Sequence, residues 1–199
     1  MSARSRLARR WRHGQRGAAA IEFALLLPLL VGLLAGIVDM GVALNTARTV
    51  SSNARGAARQ GAALGDHRNA DHAVLLSLSA GLSRVDGTIT DIVVYRASAG
   101  GTPPPVCFDG SVAGLCNHYE GTVLDTLDIA QFTSNGPGTQ CAPSAPDAAW
   151  CPLERDSSIA ADDRLGVAIR LERKPLLGNA LGIEAITRSA VFRLEEGAS

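Results

Sequence analysis

The residue with the most unusual chemical setting is Glu22, a carboxylate that opens a strongly apolar stretch of the chain. Residues 23–38 contain no charged side chain, and the six arginines that precede Glu22 have no acid among them. An ionised carboxylate near a membrane interior is costly unless it faces protein, water or an opposite charge. Glu22 is therefore expected to face protein, water or an opposite charge.

Four cysteines form the second candidate group, and all lie within the irregular region 100–161. They are Cys107, Cys116, Cys141 and Cys151. Four cysteines allow three pairings, and consecutive pairing is preferred because it closes two short loops. Outside the cytoplasm the cysteines can be oxidised, and each disulfide is expected to add about 2–3 kcal/mol to the free energy of unfolding by restricting the unfolded chain. Zinc is a weaker alternative, since zinc sites usually include cysteines a few residues apart and the chain has no CxxC. No metal or cofactor is predicted.

Residues for catalysis are sparse. His67 and His72 are five positions apart, and His118 lies close to Glu120. The chain contains no HExxH, GxSxG or P-loop pattern, and the "GPG" at 136–138 is typical of a turn. Asp162 and Asp163 are interpreted as the solvated start of a strand. We expect a protein without enzymatic activity, although an outward-facing hydrolase remains an alternative.

The composition allows one domain with an appendage. The chain has 199 residues, of which 46% are hydrophobic and 4% aromatic, so its core is expected to be modest. The formal net charge is zero, but six arginines fall within residues 1–17. The remaining residues carry 13 basic and 19 acidic side chains, a balance that argues against a nucleic-acid partner. The basic arm is better explained as a targeting segment.

The apolar stretch is long enough to cross a membrane. Residues 23–44 contain fourteen large apolar side chains, which at about −0.3 to −0.6 kcal/mol each outweigh one central acid at about +3 kcal/mol. Such a span covers the ~30 Å hydrocarbon layer with some tilt. Asp39 is expected about one turn from the far interface, with its carboxylate in water. The arginines predict a cytoplasmic N-terminus, although Arg48 and other arginines beyond the span weaken the asymmetry.

Two other interpretations of this segment remain open. A secretory signal peptide has a shorter apolar core, and the only candidate cleavage motif here is a poor "GVA" at 41–43. The other interpretation is a plain single-pass anchor in which an acid lies near the start by chance. Neither explains the position of Glu22.

The stretch "RGAAAIEFALLLPLL" resembles the start of a type IV prepilin of the tight-adherence (Tad, or Flp) class, and specifically TadE-like pilus assembly proteins. The resemblance implies that a prepilin peptidase cuts between Gly17 and Ala18, so that Glu22 becomes the fifth mature residue. Phe23 follows it, where related small pilins usually have tyrosine. Residues 163–196, which end in a "RLE" segment, are similar to the closing strands of the family.

The resemblance implies a role in pilus assembly as a minor pilin or pseudopilin of the bacterial inner membrane. Cleavage would leave a new amine on Ala18, about one helical turn from Glu22, that can pair with this carboxylate or with that of a neighbouring subunit. The implied partners are the prepilin peptidase, other pilins or pseudopilins and an inner-membrane assembly platform. A simpler alternative is that Glu22 reaches the cytoplasmic headgroups. The rival function is an uncleaved single-pass envelope protein with an outward-facing ligand-binding domain.

The same helix carries a ridge of small residues. Gly32 and Gly36 form a GxxxG match that allows another helix to approach closely, although small residues are common in membrane helices generally. Pro28 removes one backbone hydrogen bond and is expected to kink the segment. Every fourth position along the ridge is small or proline, namely Ala20, Ala24, Pro28, Gly32 and Gly36.

Helical patterns cover the N-terminal part of the chain. One long helix is predicted over about 19–63, ended by Gly61 and Gly65. Its outer half has a slender, weakly apolar face suited to packing on a small sheet. A second helix is predicted over 70–82, with an apolar stripe through Val74, Leu75 and Leu78.

Strand patterns at 88–97, 164–173 and 184–195 predict a small antiparallel sheet against a helix. Periodicity leaves 121–132 undecided between strand and short helix. The fold class is therefore α+β, a long N-terminal transmembrane helix that continues into a small antiparallel sheet domain with a type IV pilin-like outline. The domain organisation predicted is a cytoplasmic leader (1–17), a transmembrane helix (18–44) and an extracytoplasmic domain (45–199) with a loop-rich insertion at 100–161.

Overall fold

A computed structural model describes residues 4–132, 141–158, 163–175 and 185–195, with side chains from Gly17 onward. The chain divides into two compact units, one of residues 1–42 and 175–182 and one of residues 43–174 and 183–199. The turn predicted at 136–138 and Asp162 lie outside the described residues.

The first element, α1, is an α-helix over Arg4–Leu64. It begins earlier than the predicted residue 19 because alanine, leucine and arginine, all good helix formers, continue back through the basic arm. Its end agrees with the prediction at Gly65, whereas Gly61, also predicted to end the helix, lies inside it. Gly65 adopts the left-handed conformation at φ 56°, and its N–H donates to the carbonyls of Gly61 and Ala62, both at 3.2 Å. A glycine at this position closes a helix without a Cβ penalty.

The second helix, α2, spans Ala70–Leu82 and matches its predicted bounds. Val74, Leu75 and Leu78 are fully buried, as the apolar stripe predicts. Asp71, in the first turn of α2, is fully buried as well. A buried carboxylate needs partners, and those partners define one of the clusters described below.

The sheet has four antiparallel strands within the described residues: β1 (Thr88–Arg96), β2 (Cys116–Glu120), β3 (Arg164–Glu172) and β4 (Ala185–Arg193). Their order across the sheet is β2-β1-β3-β4. Three strands agree with the sequence patterns, whereas β2 lies inside the region predicted as a loop-rich insertion. Its sequence, CNHYE, has too few apolar residues for a strand pattern, and pairing with β1 decides its conformation.

One face of the sheet packs against the two helices. The largest cluster of buried side chains joins α1, α2, β1 and β3, and α1 contributes only small residues and Val50. Small side chains let the helix backbone approach the sheet closely. Gly61 lies at this contact, where an added Cβ would be 2.6 Å from Val74 and 3.3 Å from Leu165.

The other face of the sheet is covered by irregular chain from the 100–116 region. Val93, Tyr95 and Ala168 pack there with Cys107 and Cys116. The Tyr95 hydroxyl donates to the carbonyl of Gly101 at 2.8 Å. The region predicted as a loop therefore completes a second, smaller core.

The undecided segment 121–132 is helical. It forms a 3-10 turn over Gly121–Asp125 and a short α-helix, α3, over Ile129–Phe132. Two further 3-10 turns lie at Pro105–Phe108 and Pro152–Glu154, each with proline in its first turn. Proline pre-sets the backbone φ for such turns and needs no hydrogen-bond acceptor.

Candidate functional site

The N-terminal part of α1 exposes apolar side chains all around its axis. Leu25 is 75% exposed, and large apolar residues on every face of residues 21–44 are open to their surroundings. The most apolar stretch of 18 residues within Gly17–Leu64 has a mean hydropathy of 2.5, and none of it is buried. This helix is therefore long and apolar enough to cross a membrane. A helix that is apolar all around needs lipid or other helices to cover it.

The residues predicted for processing and register share one stretch of this helix. Gly17, Ala18, Glu22 and Phe23 are all exposed, Phe23 to 60%. Ala18 and Glu22 are four residues apart, which places them on one helix face about 6 Å apart along the axis. A Cβ added at Gly17 would meet no atom within 4 Å, so a larger residue fits there without strain.

Gly32 and Gly36 also lie one turn apart in α1. Gly32 is exposed, and a Cβ there would meet nothing within 4 Å, while Gly36 is half-buried. Pro28 lies inside the helix, which runs without a break from Arg4 to Leu64. The small-residue surface is thus open at Gly32, as close packing by another helix requires.

Asp39 differs from its prediction. It is 3% exposed, so the expectation that its carboxylate faces water is wrong. The residue has an interaction partner, as a carboxylate covered by protein must.

Residues 17–59 match the model of the TadE family, described as TadE-like protein. This segment is TadE-like. The match covers about a fifth of the 199-residue chain and includes Gly17, Ala18, Glu22 and both glycines of the GxxxG motif. No curated protein and no solved structure matches the chain. The family is associated with the Tad pilus and is generally non-enzymatic.

Beyond the TadE-like segment, a buried polar network joins α2, β2 and the chain after Cys141. Asp71 is its centre, and its carboxylate accepts from the Arg155 guanidinium and the Tyr119 hydroxyl, both at 2.7 Å, and from the Asn117 amide at 2.8 Å. Asn117 also exchanges hydrogen bonds with the Trp150 backbone at 2.7 and 2.9 Å. Every side chain of the network is buried, so it fixes irregular chain to the core.

Burial and the nearby charge of Asp71 raise the pKa of Tyr119 well above its ordinary value. Tyr119 therefore acts as a hydrogen-bond donor to Asp71 at neutral pH. The sequence offered one hint of this network, an acid within the apolar pattern of α2. Its partners are 46 to 84 residues away along the chain, and no local pattern connects them.

Asp147 lies beside this network and is fully buried. Neither of its carboxylate oxygens has a hydrogen-bond partner among the described residues, and the same holds for Nε and Nη1 of Arg155. Burial and the negative charge of Asp71 raise the pKa of Asp147 from 3.8 to about 7, and Arg155 offsets only part of the increase. Asp147 is therefore partly protonated near neutral pH.

Two disulfides stabilise the irregular region. Cys107 bonds Cys116 and Cys141 bonds Cys151, which is the consecutive pairing preferred from the sequence. The first bond lies in the smaller core under β1, and the second precedes the turn that carries Arg155. Each bond thus closes a short loop next to a buried cluster.

A second polar cluster lies on the sheet face away from the helices. Nε2 of His118 is 2.9 Å from a carboxylate oxygen of Asp91, Thr90 donates to the other oxygen at 2.7 Å, and Arg170 is 3.5 Å from it. Burial would raise the pKa of Asp91, but these hydrogen bonds and charges outweigh it and hold the pKa below its ordinary value. The guanidinium of Arg170 stacks 4.1 Å from the ring of Phe108.

A serine hydroxyl, that of Ser111, also lies beside this second cluster. The Ser111 hydroxyl accepts from the backbone N–H of His118 at 2.9 Å. Among the hydrogen bonds of the described residues, none joins this hydroxyl to the His118 imidazole. Nucleophilic catalysis needs the hydroxyl within reach of the base. Within the described residues no group of three His, Cys, Asp or Glu side chains is placed to hold a metal ion. Asp163 was expected at the solvated start of a strand. Its carboxylate accepts a hydrogen bond from the Arg96 guanidinium at 2.8 Å.

Proposed function

We propose that this protein is a membrane-anchored minor pilin or pseudopilin that takes part in assembly of a tight-adherence pilus and has no enzymatic role. The observation that carries the proposal is the TadE-like helix itself, which is apolar on every face and carries Glu22 just after a glycine–alanine junction. Its N-terminus lies in the cytoplasm, its span in the inner membrane and the sheet domain outside.

The proposed mechanism is helix packing guided by one ion pair. A prepilin peptidase removes residues 1–17, and the amine released on Ala18 pairs with Glu22 of the same or a neighbouring subunit. In hydrocarbon an unpaired carboxylate is costly, so subunits out of register are disfavoured. Gly32 and Gly36 allow the close approach that this register needs.

The proposed partners follow from the same helix. They are the prepilin peptidase, other pilins or pseudopilins, and the inner-membrane assembly platform. The outer domain, residues 45–199, contacts other subunits or caps the fibre. Its two disulfides fit an oxidising compartment.

Leader removal is tested by the intact mass of protein extracted from membranes of the native host. We expect the chain to begin at Ala18 and to carry two disulfides. Gly17→Ala is expected to block removal, and because a Cβ at Gly17 meets no atom within 4 Å, misfolding does not explain the block. Gly41→Ala is the matched control, since Gly41 lies on the same helix in equally open space. An uncut chain in the wild type would favour the rival envelope protein.

The role of Glu22 is tested by pilus assembly. Glu22→Gln is expected to be cleaved normally but to reduce surface fibres at least tenfold, since it removes the charge and keeps the shape. Glu22→Asp keeps the charge and is expected to restore part of the assembly. Normal fibres with Glu22→Gln would refute the ion-pair mechanism.

A further inference from the structure

An open groove of about 360 Å³ lies where the outer half of α1 meets β4. It is positively charged, because three arginines from two elements line it. Two hydroxyl groups and two apolar side chains complete the lining, which consists of Leu44, Ala47, Arg48, Ser51, Ser52, Arg55 and Arg188.

The three arginines are exposed and have no carboxylate partner in the described part of the chain. Arg48 and Arg55 are seven residues apart, two turns along one face of α1. Arg188 comes from β4, and its guanidinium donates to the neighbouring carbonyl of Thr187 at 2.9 Å. Three like charges around one groove repel each other, and an anion between them removes that repulsion.

The position of the groove along the helix points to a membrane surface. The apolar run ends at Leu44, and Arg48 lies about 6 Å further along the axis. A headgroup layer is about 5–8 Å thick on each side of the hydrocarbon. Side chains on a helix lean toward its N-terminus, so Arg48 and Arg55 both lean back toward the apolar run.

The charge distribution along the chain supports the same conclusion. Arginine is depleted beside the exported end of a membrane span, yet Arg48 and Arg55 both lie within 15 residues of Leu44. A local ligand gives a reason to keep them there. Guanidinium groups bind phosphate through paired N–H donors, and serine hydroxyls can add further hydrogen bonds.

We propose that this groove binds a phosphate group, supplied by the headgroup of an anionic phospholipid in the outward leaflet. Arg48 and Arg188 hold the phosphate from two sides, Arg55 adds charge, and Leu44 contacts the acyl region. The site rests on the proposed function, which places the apolar part of α1 in a membrane with its N-terminus in the cytoplasm.

The test uses the full chain in micelles of a neutral detergent, and measures thermal stabilisation as phosphatidylglycerol or phosphatidylcholine is added. We expect phosphatidylglycerol to bind more tightly than phosphatidylcholine. Each of Arg48→Gln, Arg55→Gln and Arg188→Gln is expected to weaken phosphatidylglycerol binding about fivefold. Arg59→Gln is the matched control, an exposed arginine of the same helix outside the groove, and is expected to change nothing.

A second arm adds inorganic phosphate to the same micelles without lipid. Stabilisation by inorganic phosphate that needs Arg48 and Arg188 would identify a soluble phosphate as the ligand and reject the lipid. An equal loss in Arg59→Gln, or no loss in any groove variant, would overturn the site. Arg48→Lys with Arg188→Lys keeps both charges but not the paired donors, and is expected to bind with intermediate affinity.

This outcome is separable from the pilin role. Groove variants that lose the lipid but retain leader removal and pilus assembly would support the site as an anchor only. Variants that lose assembly but bind phosphatidylglycerol normally would overturn the lipid site and point to an acidic protein partner.

Discussion

At the scale of single residues, the sheet domain depends on buried charge. Asp71 accepts three hydrogen bonds from partners on β2 and from Arg155, all without contact with solvent. A buried ion pair adds little net stability, but breaking one side leaves a charge without compensation. This network therefore acts through the placement it imposes on the irregular chain.

Asp71→Ala is expected to destabilise the domain by about 3–5 kcal/mol, because Arg155 then stays buried without its carboxylate. Thermal unfolding of the full chain in detergent measures the effect. Asp66→Ala removes an exposed acid just before α2 and is expected to change the stability by less than about 0.5 kcal/mol. Equal losses in the two variants would contradict the importance of the network.

The raised pKa of Asp147 predicts that the stability of the folded protein depends on pH. Its folded-state pKa of about 7 lies above the ordinary 3.8, so the folded state binds more protons than the unfolded state between these values. Stability is then expected to fall as the pH rises from about 4 to about 7. Asp147→Asn keeps the shape without the charge and should flatten this dependence and raise the melting temperature at pH 8.

The control for this pH series is Asp125→Asn, which changes an exposed acid. Melting temperatures of the three proteins, measured across the same pH range, decide the outcome. If Asp147→Asn lost stability with pH as steeply as the wild type, another group would have to be responsible.

At the scale of elements, two glycines with different surroundings test the packing of the sheet. A Cβ at Gly166 on β3 would overlap the ring of Tyr95, which is fully buried on the neighbouring strand. Gly166→Ala is therefore expected to cost about 1–3 kcal/mol. Gly56 in α1 has open space, so Gly56→Ala should stabilise by up to about 1 kcal/mol. Opposite shifts in melting temperature are the expected result.

The two disulfides form a second matched pair at this scale. They close loops of similar length, with sequence separations of 9 and 10. Removing either bond therefore frees the unfolded chain to a similar extent and is expected to lower the free energy of unfolding by about 2–3 kcal/mol. Cys107 and Cys116 are both fully buried, whereas Cys141 is half-buried. Replacing the first pair with alanine is expected to cost more than replacing the second pair. The reverse order in thermal unfolding would show that the smaller core contributes little.

At the scale of the whole molecule, the apolar part of α1 decides where the protein resides. The fourteen large apolar side chains of residues 23–44 outweigh the acid within this span, Asp39, by only a few kcal/mol on an insertion scale. Insertion is therefore favourable but open to disruption by a small number of charges.

Leu30→Arg with Leu33→Arg is expected to abolish insertion, since the two added charges and the loss of two leucines together cost about 6–8 kcal/mol. Both leucines are exposed, so the sheet domain should not be disturbed. Alkaline extraction of membranes measures the inserted fraction, with Leu30→Ala and Leu33→Ala together as the control. Retention of the arginine variant in the membrane pellet would show that the span is anchored by something other than its own apolarity.

Patterns of local composition were enough to predict α2 and three of the four strands in the described part of the chain. Helical periodicity in α2 and the β-branched or alternating runs of β1, β3 and β4 are set by residues that are close together in sequence. The edge strand β2 was missed because CNHYE has no such pattern. Its polar residues are satisfied by partners that only the fold supplies, such as Asp71 for Asn117 and Asp91 for His118.

The amino-acid sequence by itself determined the apolar helix, its acid at Glu22, the TadE-like motif and the preferred disulfide pairing, because these depend on residues that are neighbours along the chain. Only the tertiary structure decided the burial of Asp71 and Asp147 and the approach of Arg188 to Arg48. Those features join segments far apart in sequence, and the free energy that places them comes from packing of the sheet against the helices.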